Sequence, residues 1–241
     1  MSYSFNPVGH KHLWNGKRMT GVTTILGIIS KPALIGWAAN MAVDYIENDI
    51  VGIHEDTENY VCPFGAFKKL LKEARTAHTK KRDAAGDIGK TVHSAIEQFI
   101  KQGTEPTLDE QGMKMFENFR KWSVDNKVKF IENEKHLYSE KMFVGGICDA
   151  VVEIDGKKWL YDWKTGGTRV YAEAFWQCAA YTILLDEMGE HKDIVGYGVL
   201  GVFKDGTMED KRSVSTDEHK LAFMSAYNIY KIKQKTDNQI L

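Results

Sequence analysis

The apolar positions of this chain change rhythm near residue 128. Before that point they recur at three- and four-residue intervals, the spacing of one helix face; after it they alternate or run on, as in strands. Pro32 sits at the tolerated first turn of a helix over 33–47, whose stripe is Leu34, Trp37, Ala38, Met41, Ala42 and Tyr45. Thr23 and Thr24 are placed to cap a short helix ahead of it. Residues 55–65 have loop composition. The spacing over 67–101 predicts helix in two pieces meeting near Gly86–Gly89, the second turning Val92, Ile96, Phe99 and Ile100 inward and stopping at Gly103. A further helix over 108–125 has Met115, Phe116, Phe119 and Trp122 inward.

Three strands then follow, over 129–141, 143–154 and 158–164. After them come a helix over 172–188 closed by Gly189, a strand over 193–203 turned at Asp205-Gly206 into a short return, and a last helix over 216–235. From residue 84 the order is helix, three-stranded antiparallel meander, helix, strand. That order predicts an α/β core over 84–241, a mixed sheet flanked by helices, with residues 1–83 as an N-terminal helical annex packed on it.

The meander carries the chemistry. Asp155-Gly156 between two β-rich runs is a strong two-residue turn signal. With those two as the turn, Ile154 pairs with Lys157 and Asp149 falls directly opposite Asp162. Lys164, two residues on, shares their sheet face. Like charges directly across a ladder repel, so a protein that keeps them usually has a cation between them. Two such carboxylates hold a hard divalent ion through oxygen. The metal then polarises a phosphoryl oxygen and acidifies a bound water, with the lysine orienting that water. Against this, D-x-K is common on surface hairpins. Ala150, Val152, Trp159 and Leu160 indicate instead that both faces of this hairpin are covered.

Two helical pairs accompany it. His93 and Glu97 share a face at i, i+4. A packing histidine is the commoner case, and a third metal ligand beside two carboxylates is the functional one. Gln177 and Tyr181 repeat the spacing, as a boundary amide with a core tyrosine or as residues that steady the lysine and meet a phosphate. Gly166-Gly167 permits a tight turn or the approach of backbone to phosphate. Trp159, Trp163 and Trp176 suit core packing better than base stacking.

Composition narrows the classes. The 241 residues are 43% hydrophobic, enough for one large domain or one domain with an annex. The net charge of -1 gives no global basic field, so nucleic-acid binding must rest on a local patch. The basic run from Lys68 through Lys81 and Arg82 is one, or else a solvated helix face. Cys62, Cys148 and Cys178 are scattered, which argues against a zinc ribbon, an iron–sulfur cluster or a disulfide framework. The N-terminus lacks an apolar signal core, and Lys31-Pro32 breaks the longest apolar stretch, so a cytoplasmic protein without membrane contact is expected. Walker-type phosphate loops, nucleophile elbows and H-E-x-x-H are absent.

The ordered set Gly89-x-x-x-His93-x-x-x-Glu97, Gly146-x-x-Asp149, Asp162-x-Lys164-Thr165-Gly166 and Gln177-x-x-x-Tyr181 resembles the PD-(D/E)XK nuclease superfamily, in its RecB-type exonuclease branch. The resemblance covers roughly residues 84 to 204, and 22–38 is similar to the leading segment of phage and mitochondrial exonucleases of that branch. It implies a restriction-endonuclease-like core and Mg²⁺ or Mn²⁺ held by His93, Asp149, Asp162 and the Trp163 carbonyl. Lys164 would be the catalytic lysine, and Glu97 would support the metal through water or a hydrogen bond. Gln177 and Tyr181, with Lys81, Arg82, Lys90 and Thr165, would meet DNA. The implied activity is a metal-dependent DNA exonuclease of phage replication or recombination, in the cytoplasm of a bacterium or phage-infected host, with an annealing or single-strand-binding protein as its partner. An endonuclease on the same fold, and a retired DNA- or partner-binding module, are the alternatives. Cysteine stands before Asp149 where the superfamily's name has proline, and the cluster-binding cysteines of CRISPR-associated and helicase-linked relatives are missing, which favours a stand-alone nuclease.

Overall fold

The computed structural model describes residues 2–29, 31–51, 64–237 and 239. It divides the chain into two compact units, residues 30–87 and residues 1–29 together with 88–241. Residues 1–29 thus group with the larger unit and not with an N-terminal annex, and the second boundary falls after Asp87.

In the smaller unit, helix α2 (Pro32–Val51) meets the first part of helix α3 (Phe64–Gln102). Trp37 packs edge-on against His78, and the Tyr45 hydroxyl donates to Glu73 Oε2 at 2.9 Å. Leu70 and Ala74 are buried. On the α2 stripe Leu34 is exposed, whereas Trp37, Ala38, Met41, Ala42 and Tyr45 are half-buried. Most of the loop expected over 55–65, with Cys62, lies outside the described residues.

The expected break near Gly86–Gly89 does not occur; α3 is one helix. A glycine inside a helix costs about 1 kcal/mol relative to alanine. Gly89 has a packing reason to be there, since a Cβ would sit 3.0 Å from both the carbonyl oxygen and the hydroxyl of Thr165.

In the larger unit, strands β1 (Tyr3–Asn6), β2 (Lys11–Trp14) and β3 (Lys17–Arg18) form a small antiparallel sheet that the hydrophobic pattern did not signal. Strand β4 (Thr20–Gly21) leads into the short helix α1 (Val22–Leu26). Gly21, not Thr23 or Thr24, stands at its N-cap, without a side-chain cap bond. Helix α4 (Glu110–Asp125) is capped by Asp109, whose carboxylate accepts from the Gly112 N–H at 2.7 Å.

The meander is strands β5 (Lys129–Ser139), β6 (Val144–Ile154) and β7 (Lys157–Thr165). Helix α5 (Ala172–Met188) then crosses over to strand β8 (Ile194–Val202), parallel to β7, and β9 (Met208–Ser213) returns antiparallel. Gly189 closes α5 with φ +79°. Helix α6 (Thr216–Asp237) ends the fold. Asp155 and Gly156 have φ +50° and +72°, the backbone of a type I′ turn, and the β6–β7 register is the expected one from Ile154↔Lys157 to Ala150↔Tyr161.

This is an α/β architecture, a mixed sheet with helices on both faces. One face buries α1, α5 and α6 over Leu137, Cys148, Val151 and Leu160. The other buries α4 and the Val92–Ile96 stretch of α3 over Ala150, Val152, Tyr161 and Trp163. Helix α5 is buried on several sides because it lies between the sheet and α6. Each such fully buried leucine, isoleucine or phenylalanine stabilises by about 1.5–3 kcal/mol. Among the described residues no helix is long and apolar enough to cross a membrane.

Candidate metal centre at a fork in the sheet

The β6–β7 hairpin does not stay zipped. Its paired register runs no further than Ala150↔Tyr161. Beyond that point β7 continues along β8 as far as Thr165↔Val202. Strand β6 keeps β5 on one edge, and on the edge that β7 has left it takes up β4 at Val144 and Gly145. Gly146 to Asp149 therefore face a fork on that edge. The strand's alternation also breaks here, since Cys148 joins the core cluster of Val151 and not that of Ala150. Asp149 stands at the break.

The fork is closed by side chains. Asp149 Oδ2 accepts from the Trp163 N–H at 2.6 Å, a backbone donor that a continuing ladder would have bonded to backbone. His93, from α3, brings Nε2 to 3.3 Å from the same oxygen. On the other side of the fork Lys164 Nζ lies 2.6 Å from Asp162 Oδ2. That oxygen is buried, with the Lys164 ammonium as its partner. Gln177 Oε1 accepts from Lys164 at 3.1 Å, while Gln177 Nε2 donates to Asp162 Oδ1 and to the Tyr181 hydroxyl, each at 2.9 Å. Gly146 makes room for the Tyr181 ring; a Cβ there would lie 2.6 Å from Cε1.

Burial and mutual charge set the titration. Burial alone would depress the His93 imidazole, but Asp149, Glu134 and Asp162 together lift it to about 9. Burial would raise the Asp149 carboxyl, yet His93, Lys164 and the Trp163 N–H hold it below the usual range. Burial lifts the Asp162 carboxyl to about 6, with Lys164 opposing and Asp149 adding. Lys164, against its own burial, is raised by Asp162 and Asp149.

The residues singled out in the sequence are distributed as follows. His93, Asp149, Asp162, Trp163, Lys164, Gln177 and Tyr181 converge. Trp163 touches Asp149 through its N–H. Tyr181 is buried and holds Gln177. Thr165 Oγ1 donates to the Gly89 carbonyl at 2.9 Å, tying β7 to α3. Glu97 is paired with Lys101 at 2.5 Å, and both Glu97 and Asp162 stand outside the close group of ligand atoms formed by His93, Glu134 and Asp149. Lys90 lines a cavity of about 380 Å³ with Thr91, Ser94, Gln98 and Thr107. Lys81 and Arg82 belong to the other unit, where both are exposed and Arg82 pairs with Asp83 at 2.9 Å.

Sequence reasoning missed Glu134. His93, Glu134 and Asp149 each offer a ligand atom, and these atoms lie within 4.8 Å of one another. Extending the register argument to the β5–β6 hairpin would have found Glu134 opposite Asp149. The turn there, 140–143, has none of the residues that announce a tight turn.

No family model matches this chain, and no curated protein does. Among solved structures it is similar to one described as the crystal structure of SSO0001, at 12% identity over 80% of this chain and 85% of that one. The TM-score of 0.34 is too low to carry an argument.

Proposed function

We propose that this chain is a divalent-metal-dependent deoxyribonuclease with a PD-(D/E)XK core, acting as an exonuclease on linear DNA. The observation that carries the reading is the fork itself: two acids, an imidazole and a lysine from separate elements meet where β6 and β7 part. The sequence of α3, the β5–β6–β7 meander, α5 and the parallel strand β8 supports a restriction-endonuclease-like core.

The donor set suits a hard cation. It offers two buried carboxylates and one imidazole. His93, Asp149, Asp162 and the Trp163 carbonyl would hold Mg²⁺ or Mn²⁺. When bound, such an ion withdraws charge from a phosphoryl oxygen and acidifies water. The rest of the chemistry falls to side chains. Lys164 orients the attacking water and offsets charge on the phosphate oxygens. Gln177 fixes Lys164 relative to Asp162, and Tyr181 fixes Gln177. Lys90, on the helix that carries His93, would meet the DNA backbone. Phage replication or recombination, beside an annealing or single-strand-binding protein, is the setting that goes with this activity.

The test is to incubate end-labelled linear single- and double-stranded oligonucleotides and a covalently closed circle with Mg²⁺ or Mn²⁺. The wild type shortens the linear DNA and spares the circle. Lys164→Ala, folded by circular dichroism, cuts neither. Near wild-type cleavage by that variant in Mn²⁺ rejects the assignment, and nicking of the circle by the wild type replaces exonuclease with endonuclease.

A further inference from the structure

A third acid stands in line with the pair at the fork, and the nuclease pattern makes no use of it. On β5, Asn133 faces Ala150 and Lys135 faces Cys148, so Glu134 between them is in register with Asp149. Its backbone is left-handed, φ +51°, inside a strand. A non-glycine residue held there costs about 1–3 kcal/mol, and such strain collects where a site demands it. The Glu134 side chain is only 20% exposed.

His93 lies between two carboxylates. Its Nε2 is 3.3 Å from Asp149 Oδ2, and its Nδ1 is 3.6 Å from Glu134 Oε1. The two nitrogens of an imidazole point in diverging directions. A cation shared with Asp149 is met by Nε2, which leaves Nδ1 directed at Glu134. Which nitrogen is bare is decided by what the other donates to.

Resting on the metal centre of the preceding reading, we infer that Glu134 is a positioning residue: it accepts the Nδ1 proton of His93 and so presents a bare Nε2 to the cation held with Asp149. The present 3.6 Å is longer than a hydrogen bond. A small rotation of the ring closes it once Nε2 has a metal to face. Glu97, on the same helix face as His93, does not take this role, because its carboxylate is engaged by Lys101.

The experiment measures metal binding without nucleic acid. Mn²⁺ is titrated into wild type, Glu134→Ala and Glu134→Gln and followed by electron paramagnetic resonance. Long-range ¹H–¹⁵N spectra of the Mg²⁺-loaded proteins report the His93 tautomer. Glu134→Ala weakens Mn²⁺ by about 10- to 100-fold and leaves His93 a mixture of tautomers. Glu134→Gln, which keeps an acceptor of the same size, recovers most of the affinity and the Nδ1–H form. Unchanged Mn²⁺ affinity in Glu134→Ala overturns the inference. So does a Glu134→Gln variant as weak as alanine with the His93 tautomer unmoved, which would make Glu134 a direct ligand. If the wild type cleaves no DNA while Glu134→Ala still loses Mn²⁺ and the tautomer, the nuclease reading falls and the role of Glu134 stands.

Discussion

Asp162→Asn should make the metal-free protein more stable while abolishing cleavage. Asp162 is 1% exposed. Burial lifts its carboxyl from 3.8 to about 6, against the pull of Lys164 and with the push of Asp149. That is a little over two pH units at about 1.36 kcal/mol each, so the ionised native carboxylate costs about 3 kcal/mol. Between the two values the native state holds a proton that the unfolded chain has released. Stability therefore falls as pH rises from about 4 to about 6 and stays low above that window. Asparagine keeps the Oδ1 acceptor used by Gln177 Nε2 and carries no charge. It gives up the contact with Lys164, whose side chain is 37% exposed and keeps access to water, so only part of the gain is lost. The expected net gain at neutral pH is about 1–3 kcal/mol, or about 2–4 °C in Tm for each kcal/mol. Urea melts in EDTA check it. The two proteins should coincide near pH 4, diverge through the window and stay apart above about pH 6. With Mn²⁺ the difference should shrink or reverse, because the wild type gains more from binding. An asparagine variant no more stable than wild type in EDTA at neutral pH, or a difference indifferent to pH, would refute the reasoning.

Two further outcomes are expected. Gly146→Ala puts a methyl 2.6 Å from Tyr181 Cε1 and 3.2 Å from Val22 Cγ2, both in well-packed core. It should cost about 1–3 kcal/mol by chemical denaturation, and an unmoved midpoint would contradict it. His93 must shed a proton to bind metal, and its neighbours hold it protonated up to about 9. Mn²⁺ affinity measured by calorimetry should therefore tighten with rising pH, up to about tenfold per unit, and level off near 9; a flat profile across that range would show that His93 is not a ligand.

The legible parts of the fold were those where local chemistry and tertiary demand agree. Asp155-Gly156 fixed a register because only a primed turn suits the twist of a two-residue hairpin. Helix α5 was readable to its ends because Gly189 adopts a conformation that other residues resist. Strands β1 to β4 were not readable. They are only two to four residues long; β1 to β3 pair locally as short hairpins, and β4 finds its partner more than a hundred positions on. The break assigned at Gly86–Gly89 misjudged glycine, whose missing side chain here serves the approach of Thr165. In the site, the hairpin register pointed to Asp149, Asp162 and Lys164 together, but the strands part before Asp149 and Asp162 become the directly opposed pair it predicted, and Asp149 bonds the Trp163 N–H instead. Glu134 was not legible, because its register depends on a turn without signature residues.

The edge of β6 vacated by β7 is taken by Thr20 and Gly21. Those residues leave the ribosome more than a hundred positions ahead of Val144 and Gly145, their partners, so they must wait for β6 to emerge. Closing so long a loop is slow. Folding during synthesis thus defers assembly of the fork until the meander has emerged, and a protein lacking Thr20 and Gly21 would leave that seam open to pairing with neighbouring chains.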